Sequence, residues 1–123
     1  MKKNNYKSLA IKSANIQINE LKKIKKVFDH SFNRAVDQIL NCKGKVIFAG
    51  IGKSGLIARK ISATFSSVGI PSFFCDPSQA LHGDMGQIEK KDILIIFSYS
   101  GNTSELNNML TVSYTHLTLP TTT

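Results

Sequence analysis

The 123-residue sequence has no tryptophan, only three prolines and two cysteines, and no apolar run of about 18 residues. Without such a run we expect no membrane span. The amino terminus also lacks the compact apolar core of a secretory signal, so we expect a cytoplasmic protein. Cys42 and Cys75 lack CxxC spacing and are interpreted as reduced thiols rather than as a disulfide or metal pair. We also expect neither a metal nor a cofactor.

Acidic residues are scarce, and the imbalance is confined to one end of the chain. The formal net charge is +8, and residues 1–45 alone carry eleven Lys or Arg against three acids. No aromatic side chains alternate with these lysines as a base-stacking surface requires, so we expect no nucleic-acid partner. We expect no membrane partner either, because the chain has no long apolar run. Residues 1–44 are interpreted instead as a long amphipathic helix that packs on the domain or on a partner subunit. Its apolar face is formed by Leu21, Ile24, Phe28, Phe32, Ala35 and Ile39.

The stretch that organises the chain is KVIFAGIGKSG, residues 45–55. Residues 45–49 form a β-branched and aromatic run typical of a buried strand, and residues 56–68 have apolar positions at helical spacing. Gly50, Gly52 and Gly55 lie between them. Glycines at the end of a strand let the backbone approach a ligand, and the free N–H groups of the following helix favour an anion. We therefore predict a phosphate-binding turn.

Two further strands are predicted, at residues 72–75 and 92–98. The second, DILIIFS, has no polar alternation and is typical of a strand covered on both faces in a parallel sheet. Residues 78–88 are polar and interrupted by glycine, which predicts a loop with room for one helical turn. The predicted order is helix, strand, helix, strand, loop, strand, helix, and the fold class is α/β with a parallel sheet between helices.

A second strand-to-helix corner follows the third strand, in the sequence SYSGNTSE at residues 98–105. Its hydroxyl groups lie beside the predicted start of a helix at residues 104–110, an arrangement that suits the acceptor oxygens of a phosphate monoester. The same residue types also serve as helix caps, so a structural role stays open. Right-handed crossovers bring both corners to one edge of a parallel sheet, and we expect them to face a single cleft.

Two nucleotide-binding interpretations of the glycine turn compete with a site for a small phosphorylated substrate. A nucleotide P-loop, GxxxxGK[ST], fails because its first glycine would fall on Ile47. A dinucleotide fingerprint is matched by Gly50, Gly52 and Gly55, with Asp76 where a ribose-binding acid belongs. This interpretation stays open, but it gives Lys53 and the second corner no purpose.

The chain resembles the sugar isomerase (SIS) domain and, within that superfamily, the arabinose-5-phosphate isomerases. The blocks that carry the resemblance are GIGKSGLIARKISATFSSVGIPSFF, DPSQALHGDMG and DILIIFSYSGNTSEL. The resemblance implies an αβα sandwich with a five-stranded parallel sheet, Rossmann-like in layout. It also implies interconversion of ribulose 5-phosphate and arabinose 5-phosphate for lipopolysaccharide or capsule, assembly as homo-oligomers, commonly tetramers, and often a following pair of CBS domains.

The resemblance also implies roles for individual residues. Substrate phosphate binding falls to Gly52, Ser54, Ser98, Ser100, Gly101 and Thr103, and catalysis to Lys53, Glu105 and His82. Each catalytic candidate has a structural alternative: a solvated lysine, a glutamate at a helix start and a histidine that hydrogen-bonds a loop. A non-catalytic sugar-phosphate sensor that uses the same cleft also stays open.

The last residues depart from the family pattern. Residues 111–123, TVSYTHLTLPTTT, contain six threonines and no charged residue, and we interpret them as a non-native tail. The domain organisation is therefore a helix at 1–44, a partial SIS domain at 45–110 and this tail. With three strands instead of five, we expect the chain by itself to lack isomerase activity.

Overall fold

The computed structural model describes residues 4–80 and 84–99. The helices are α1 (Tyr6–Lys23), α2 (His30–Leu40), α3 (Lys53–Ser67) and the single turn α4 (Pro77–Ala80). The strands are β1 (Val46–Gly50), β2 (Ser72–Cys75) and β3 (Ile93–Phe97). Short 3-10 helices at Ile24–Val27 and Asp84–Gln87 complete the described elements. None of the helices in these two ranges is long and apolar enough to cross a membrane.

The amino-terminal segment is two helices, so the prediction of one long helix is wrong. The break between the two helices is caused by Asp29, which caps the second helix. Asp29 has extended backbone angles, and its side chain accepts hydrogen bonds from the N–H groups of Ser31 and Phe32. A side chain that caps a new helix competes with continuation of the old one. Only α2 contributes to the core, through buried Ala35 and half-buried Ile39, whereas α1 has no buried residue.

The three strands form a parallel sheet in the order β2-β1-β3, which confirms the predicted fold class. In the register, Ala49 of β1 lies opposite Cys75 of β2, and Gly50 lies opposite Phe97 of β3. The carboxyl ends of all three strands therefore lie at the same edge. Residues that follow adjacent strands are neighbours there, as in other open parallel sheets.

The core lies on both faces of β1, which is buried along its whole length. Ile47 and Ala49 pack on one face with Leu94, Cys75 and Ile88. Val46 and Phe48 pack on the other face, where Phe48 contacts the rings of Phe65 and Phe97. Strand β3 also contributes to both faces, with Leu94 and Ile96 in the first cluster and Ile95 and Phe97 in the second, although among its described residues only Ile93 and Leu94 are fully buried.

The amino-terminal edge of the sheet is tied by the buried carboxylate of Asp92. Its Oδ1 accepts the backbone N–H of Lys45 at 2.7 Å, and its Oδ2 accepts that of Glu89 at 2.8 Å. The Lys45 ammonium lies 3.2 Å from Oδ2. Burial alone raises the pKa of this carboxyl, but the two N–H groups and the ammonium together outweigh it and hold the pKa below its ordinary value. Asp92 thereby fixes the start of β3 beside the start of β1.

Candidate functional site

The turn between β1 and α3 depends on its three glycines for two different reasons. A Cβ on Gly55 would lie 2.6 Å from the carbonyl oxygen of Gly50, and a Cβ on Gly50 would lie 2.8 Å from the backbone of Ser54. These two glycines allow the strand end and the helix start to touch. Gly52 has φ +62° and ψ −129°, a conformation that side chains oppose, although the space beside it is open.

Helix α3 begins directly after this turn and presents its amino terminus to the edge of the sheet. Gly52 precedes the helix and offers no side-chain cap. The first helical N–H groups have no acceptor within the helix, and they form the positive end of a 15-residue dipole. The turn therefore provides backbone donors and positive potential suited to an anion. That it binds a phosphate stays a prediction.

Lys53 and Ser54 occupy the first two positions of α3. Lys53 is exposed and Ser54 is half-buried. Among the residues that the structure describes, Lys53 forms no ion pair, so its ammonium adds to the positive potential at the helix start. The helix begins three residues earlier than the predicted residue 56, because Gly52 adopts the positive φ that starts it.

The second corner is described only at its beginning. Ser98 directly follows β3 and is half-buried, and the residue before it, Phe97, pairs with Gly50. Ser98 thus lies at the same edge of the sheet as the glycine turn, on the adjacent strand. The other predicted site residues lie outside the described residues, namely His82, Ser100, Gly101, Thr103 and Glu105.

A cleft of about 270 Å³ opens on the other side of the glycine turn, toward β2. Residues of the turn and of α3 line one wall, and residues at the end of β2 line the other. Its lining consists of Gly50, Ile51, Gly52, Gly55, Leu56, Arg59, Phe74, Asp76 and Ser78. Lys53 and Ser54 are not among these lining residues.

Sequence reasoning missed Arg59 and Ser78, and it considered Asp76 only as a ribose-binding acid. Asp76 follows β2 just as Ser98 follows β3, and residues that follow parallel strands lie at the carboxyl edge of the sheet. The position of Asp76 at this edge could therefore have been predicted from the sequence. Arg59 lies four residues after Gly55 and therefore on the same face of α3. Its partner Phe74 comes from another element, which helical spacing alone does not reveal.

Two side chains of the cleft are held in place. The Arg59 guanidinium carbon lies 4.0 Å from the centre of the Phe74 ring, a cation–π distance. Asp76 Oδ1 accepts the hydroxyl of Ser78 at 2.8 Å and its backbone N–H at 3.0 Å. These two hydrogen bonds, with a smaller contribution from the Arg59 charge, hold the pKa of Asp76 below its ordinary value. Among the side chains that the structure describes, no group of three or more His, Cys, Asp or Glu is placed to hold a metal ion.

Comparison with known proteins identifies the class of this domain. A family profile described as the SIS domain matches residues 39–114, more than half of the chain. Together with the parallel sheet and the glycine turn at its carboxyl edge, this match shows that the chain belongs to the SIS domain family.

Two curated relatives within this family are named as arabinose 5-phosphate isomerases. The chain is 42% identical over 106 residues to a Haemophilus influenzae protein named "Probable arabinose 5-phosphate isomerase", covering 86% of this chain and 32% of that protein. It is 46% identical over 92 residues to arabinose 5-phosphate isomerase GutQ of Escherichia coli, covering 75% and 29%. The chain thus spans about a third of the length of these curated relatives.

A solved structure supports the same comparison. An Escherichia coli CFT073 protein in complex with arabinose 5-phosphate superposes with a TM-score of 0.73 at 41% identity. The match covers 88% of this chain and 59% of that one. The predicted resemblance to the SIS domain of arabinose-5-phosphate isomerases is therefore confirmed at the level of family and fold.

Proposed function

We propose that the complete protein containing this SIS domain is an aldose–ketose isomerase that interconverts ribulose 5-phosphate and arabinose 5-phosphate. The observation that carries the proposal is the glycine turn of residues 50–55, with Ser98 on the adjacent strand at the same edge of the sheet. The relatives named as arabinose 5-phosphate isomerases and the solved complex with arabinose 5-phosphate support the choice of substrate.

Phosphate binding is assigned to the two strand-to-helix corners. The N–H groups that follow Gly52 and the hydroxyl groups of Ser54 and Ser98 supply donors from the described residues. Ser100, Gly101 and Thr103 complete the set by resemblance to the family. A phosphate monoester offers three acceptor oxygens and a negative charge, which match hydroxyl donors and the positive end of α3.

The chemical step moves a carbonyl between C1 and C2 through an enediol. It needs a base that removes a proton from one carbon and returns it to the other, and a cation or donor that stabilises the charge on oxygen. We assign proton transfer to Glu105, with His82 as a further catalytic residue by resemblance to the family. Lys53, at the first position of α3, stabilises the enediolate or the phosphate charge.

Glu105→Gln in the complete protein tests this assignment. The substitution keeps the shape of the side chain and removes the base, so we expect turnover to fall by about 100-fold or more with arabinose 5-phosphate binding retained. Conversion of ribulose 5-phosphate by the unsubstituted protein is the positive control. Binding of arabinose 5-phosphate without any conversion by the unsubstituted protein would instead favour a sugar-phosphate sensor.

A thermal-shift comparison of arabinose 5-phosphate with NAD separates the isomerase from the dinucleotide interpretation. A ligand stabilises only the fold that binds it, so we expect arabinose 5-phosphate to raise the Tm and NAD to leave it unchanged. A rise with NAD alone would overturn the proposal. We also expect the 123-residue chain by itself to show no conversion, which the same isomerase assay measures.

We further propose that the complete protein is a homo-oligomer, by resemblance a tetramer. Helix α1 supports this proposal, because it exposes several apolar side chains that a second subunit could cover. They include Leu9, Ile16 and Leu21, which are 62%, 55% and 64% exposed. Light scattering of the purified protein measures the assembly, and a monomer at micromolar concentration would contradict this part of the proposal.

A further inference from the structure

The cleft beside β2 contains polar groups to which the proposed function gives no role. The phosphate donors lie at the start of α3 and after β3, whereas Arg59, Asp76 and Ser78 line the cleft on the β2 side of the same glycine turn. Gly50 and Gly52 belong both to the phosphate-binding turn and to the cleft wall. A ligand whose phosphate lies on the turn therefore has this cleft directly beside it.

Arg59 is oriented but has unused donors. Its guanidinium lies against the Phe74 ring, which restricts the side chain, while the N–H groups of a stacked guanidinium remain available in its plane. Among the described residues the Arg59 side chain forms no hydrogen bond. A restrained arginine with free donors on the wall of a cleft is suited to a ligand rich in oxygen acceptors.

The Asp76 carboxylate likewise has hydrogen bonds on only one of its two oxygens among the described residues. Both hydrogen bonds from Ser78 go to Oδ1, and in the described part of the chain Oδ2 has no donor. An ionised carboxylate oxygen is a strong acceptor for hydroxyl groups. The cleft therefore places an oriented donor, Arg59, and an open acceptor, Asp76, on the same ligand surface.

We propose that Arg59 and Asp76 are specificity-determining residues that bind the hydroxyl groups of the sugar whose phosphate lies on the glycine turn. The inference rests on the proposed function and deepens it. Adjacent hydroxyl groups of an open-chain sugar both donate and accept, so one guanidinium and one carboxylate satisfy them together. The cleft volume of about 270 Å³ suits a small ligand of this kind.

The test measures two affinities on the complete protein, one for arabinose 5-phosphate and one for inorganic phosphate. Arg59→Met removes the donors and keeps the length of the side chain. Asp76→Asn removes the acceptor charge but keeps the oxygen that Ser78 needs. We expect each substitution to weaken arabinose 5-phosphate about tenfold and to leave inorganic phosphate within about twofold.

Matched controls are available in the same chain. Lys60→Met removes one positive charge from the neighbouring exposed position of α3, and Lys60 does not line the cleft. Asp37→Asn removes one negative charge from exposed α2. Both controls are expected to leave both affinities unchanged. Arg59→Lys retains the charge without the planar fork, and it is expected to lose sugar affinity as Arg59→Met does.

The outcomes separate this inference from the proposed function. Equal weakening of both ligands by Arg59→Met would show a general charge effect and overturn the inference, as would unchanged sugar affinity in both variants. If the unsubstituted protein binds inorganic phosphate as tightly as arabinose 5-phosphate, the proposed substrate is wrong and the inference fails with it. Circular dichroism of each variant verifies that a lost affinity is not a lost fold.

Discussion

Strand β1 and helix α1 are both regular secondary structure, yet their own residues differ completely in burial. All five residues of β1 are buried, and Ile47 and Ala49 are 0% exposed. None of the 18 residues of α1 is buried. The helix is specified locally by its Asn5 cap and by Lys22 and Lys23 in its last turn, whereas the strand is specified by what surrounds it.

This difference shows where the chain's stability and its candidate chemistry lie. The central strand is packed on both faces, and the rigid sheet it belongs to holds the glycine turn and Ser98 at one edge. Helix α1 contributes little to that sheet within the described structure. Substitutions in the two regions should therefore differ sharply in how much they lower the free energy of unfolding.

Phe48→Ala and Phe28→Ala remove the same side chain from the two regions. Phe48 is 1% exposed and contacts Phe65 and Phe97, so we expect its loss to lower the free energy of unfolding by about 3–5 kcal/mol. Phe28 is 55% exposed, and its one ring contact among the described residues is a tilted pair with Phe32, so we expect its loss to lower the free energy of unfolding by less than about 1 kcal/mol. Urea denaturation measures both, and equal losses would contradict the comparison.

Asp92→Asn removes the carboxylate that ties β1 to β3. We expect a loss of about 2 kcal/mol in the free energy of unfolding at neutral pH, because hydrogen bonds to a buried charged group are lost or weakened. Glu89→Gln is the control, since the Glu89 side chain is 57% exposed and its ion pair with Lys45 is long, at 3.6 Å. A control loss as large as that of Asp92→Asn would refute the special role of Asp92.

The same residue predicts an acid dependence of stability. Since folding lowers the pKa of Asp92, its stabilisation is fully present above the ordinary value of 3.8 and is lost as the pH falls through the lower folded value. Asp92→Asn should therefore lose less stability than the unsubstituted protein over that acidic range. Urea titrations at several acidic pH values measure this, and parallel curves for the two proteins would argue against it.

Gly55→Ala tests the close approach at the glycine turn. The new methyl group would lie 2.6 Å from the Gly50 carbonyl oxygen, so we expect a loss of about 2 kcal/mol in the free energy of unfolding and weaker phosphate-ester binding. Gly86→Ala is the matched control, because its Cβ meets nothing within 4 Å. Unchanged stability and binding in Gly55→Ala would mean that the turn does not need this contact.

Removal of residues 1–23, which include α1, should have the smallest effect on the sheet. Because α1 buries no residue, we expect the free energy of unfolding to change by less than about 0.5 kcal/mol. The size of the assembly should fall if the exposed apolar side chains of α1 form a subunit contact. Denaturation and light scattering of the shortened chain measure the two effects. A large loss of stability without a change in assembly would show that α1 packs on the domain.

The elements predicted correctly are those with strong local patterns. Strand β2 begins and ends as predicted, and the glycine turn lies where the spacing of Gly50, Gly52 and Gly55 placed it. The region 78–88, predicted as a loop with room for one helical turn, contains most of the single turn α4 and a four-residue 3-10 helix. The split between α1 and α2 was missed because the apolar spacing continues across Asp29, while its capping oxygen starts a new helix.

The candidate site was predicted only in part, for a physical reason. Lys53, Ser54 and Ser98 follow strands closely, and strand order alone brings them to one edge. The wall formed by Arg59 and Phe74 joins a helix to a different strand, and that contact depends on tertiary packing. Sequence periodicity gives the face of each element but not the partner that it meets.

The most direct test of a sugar phosphate site at the carboxyl edge of the sheet is an NMR titration. The isotope-labelled complete protein is titrated with arabinose 5-phosphate, and the chemical shifts of its backbone amides are measured. We predict saturable shifts at Gly52, Ser54 and Ser98, with none at Lys43 and Lys91, which lie by the opposite edge of the sheet. Shifts centred on Lys43 and Lys91, or none at any of these amides, would contradict a sugar phosphate site at the carboxyl edge.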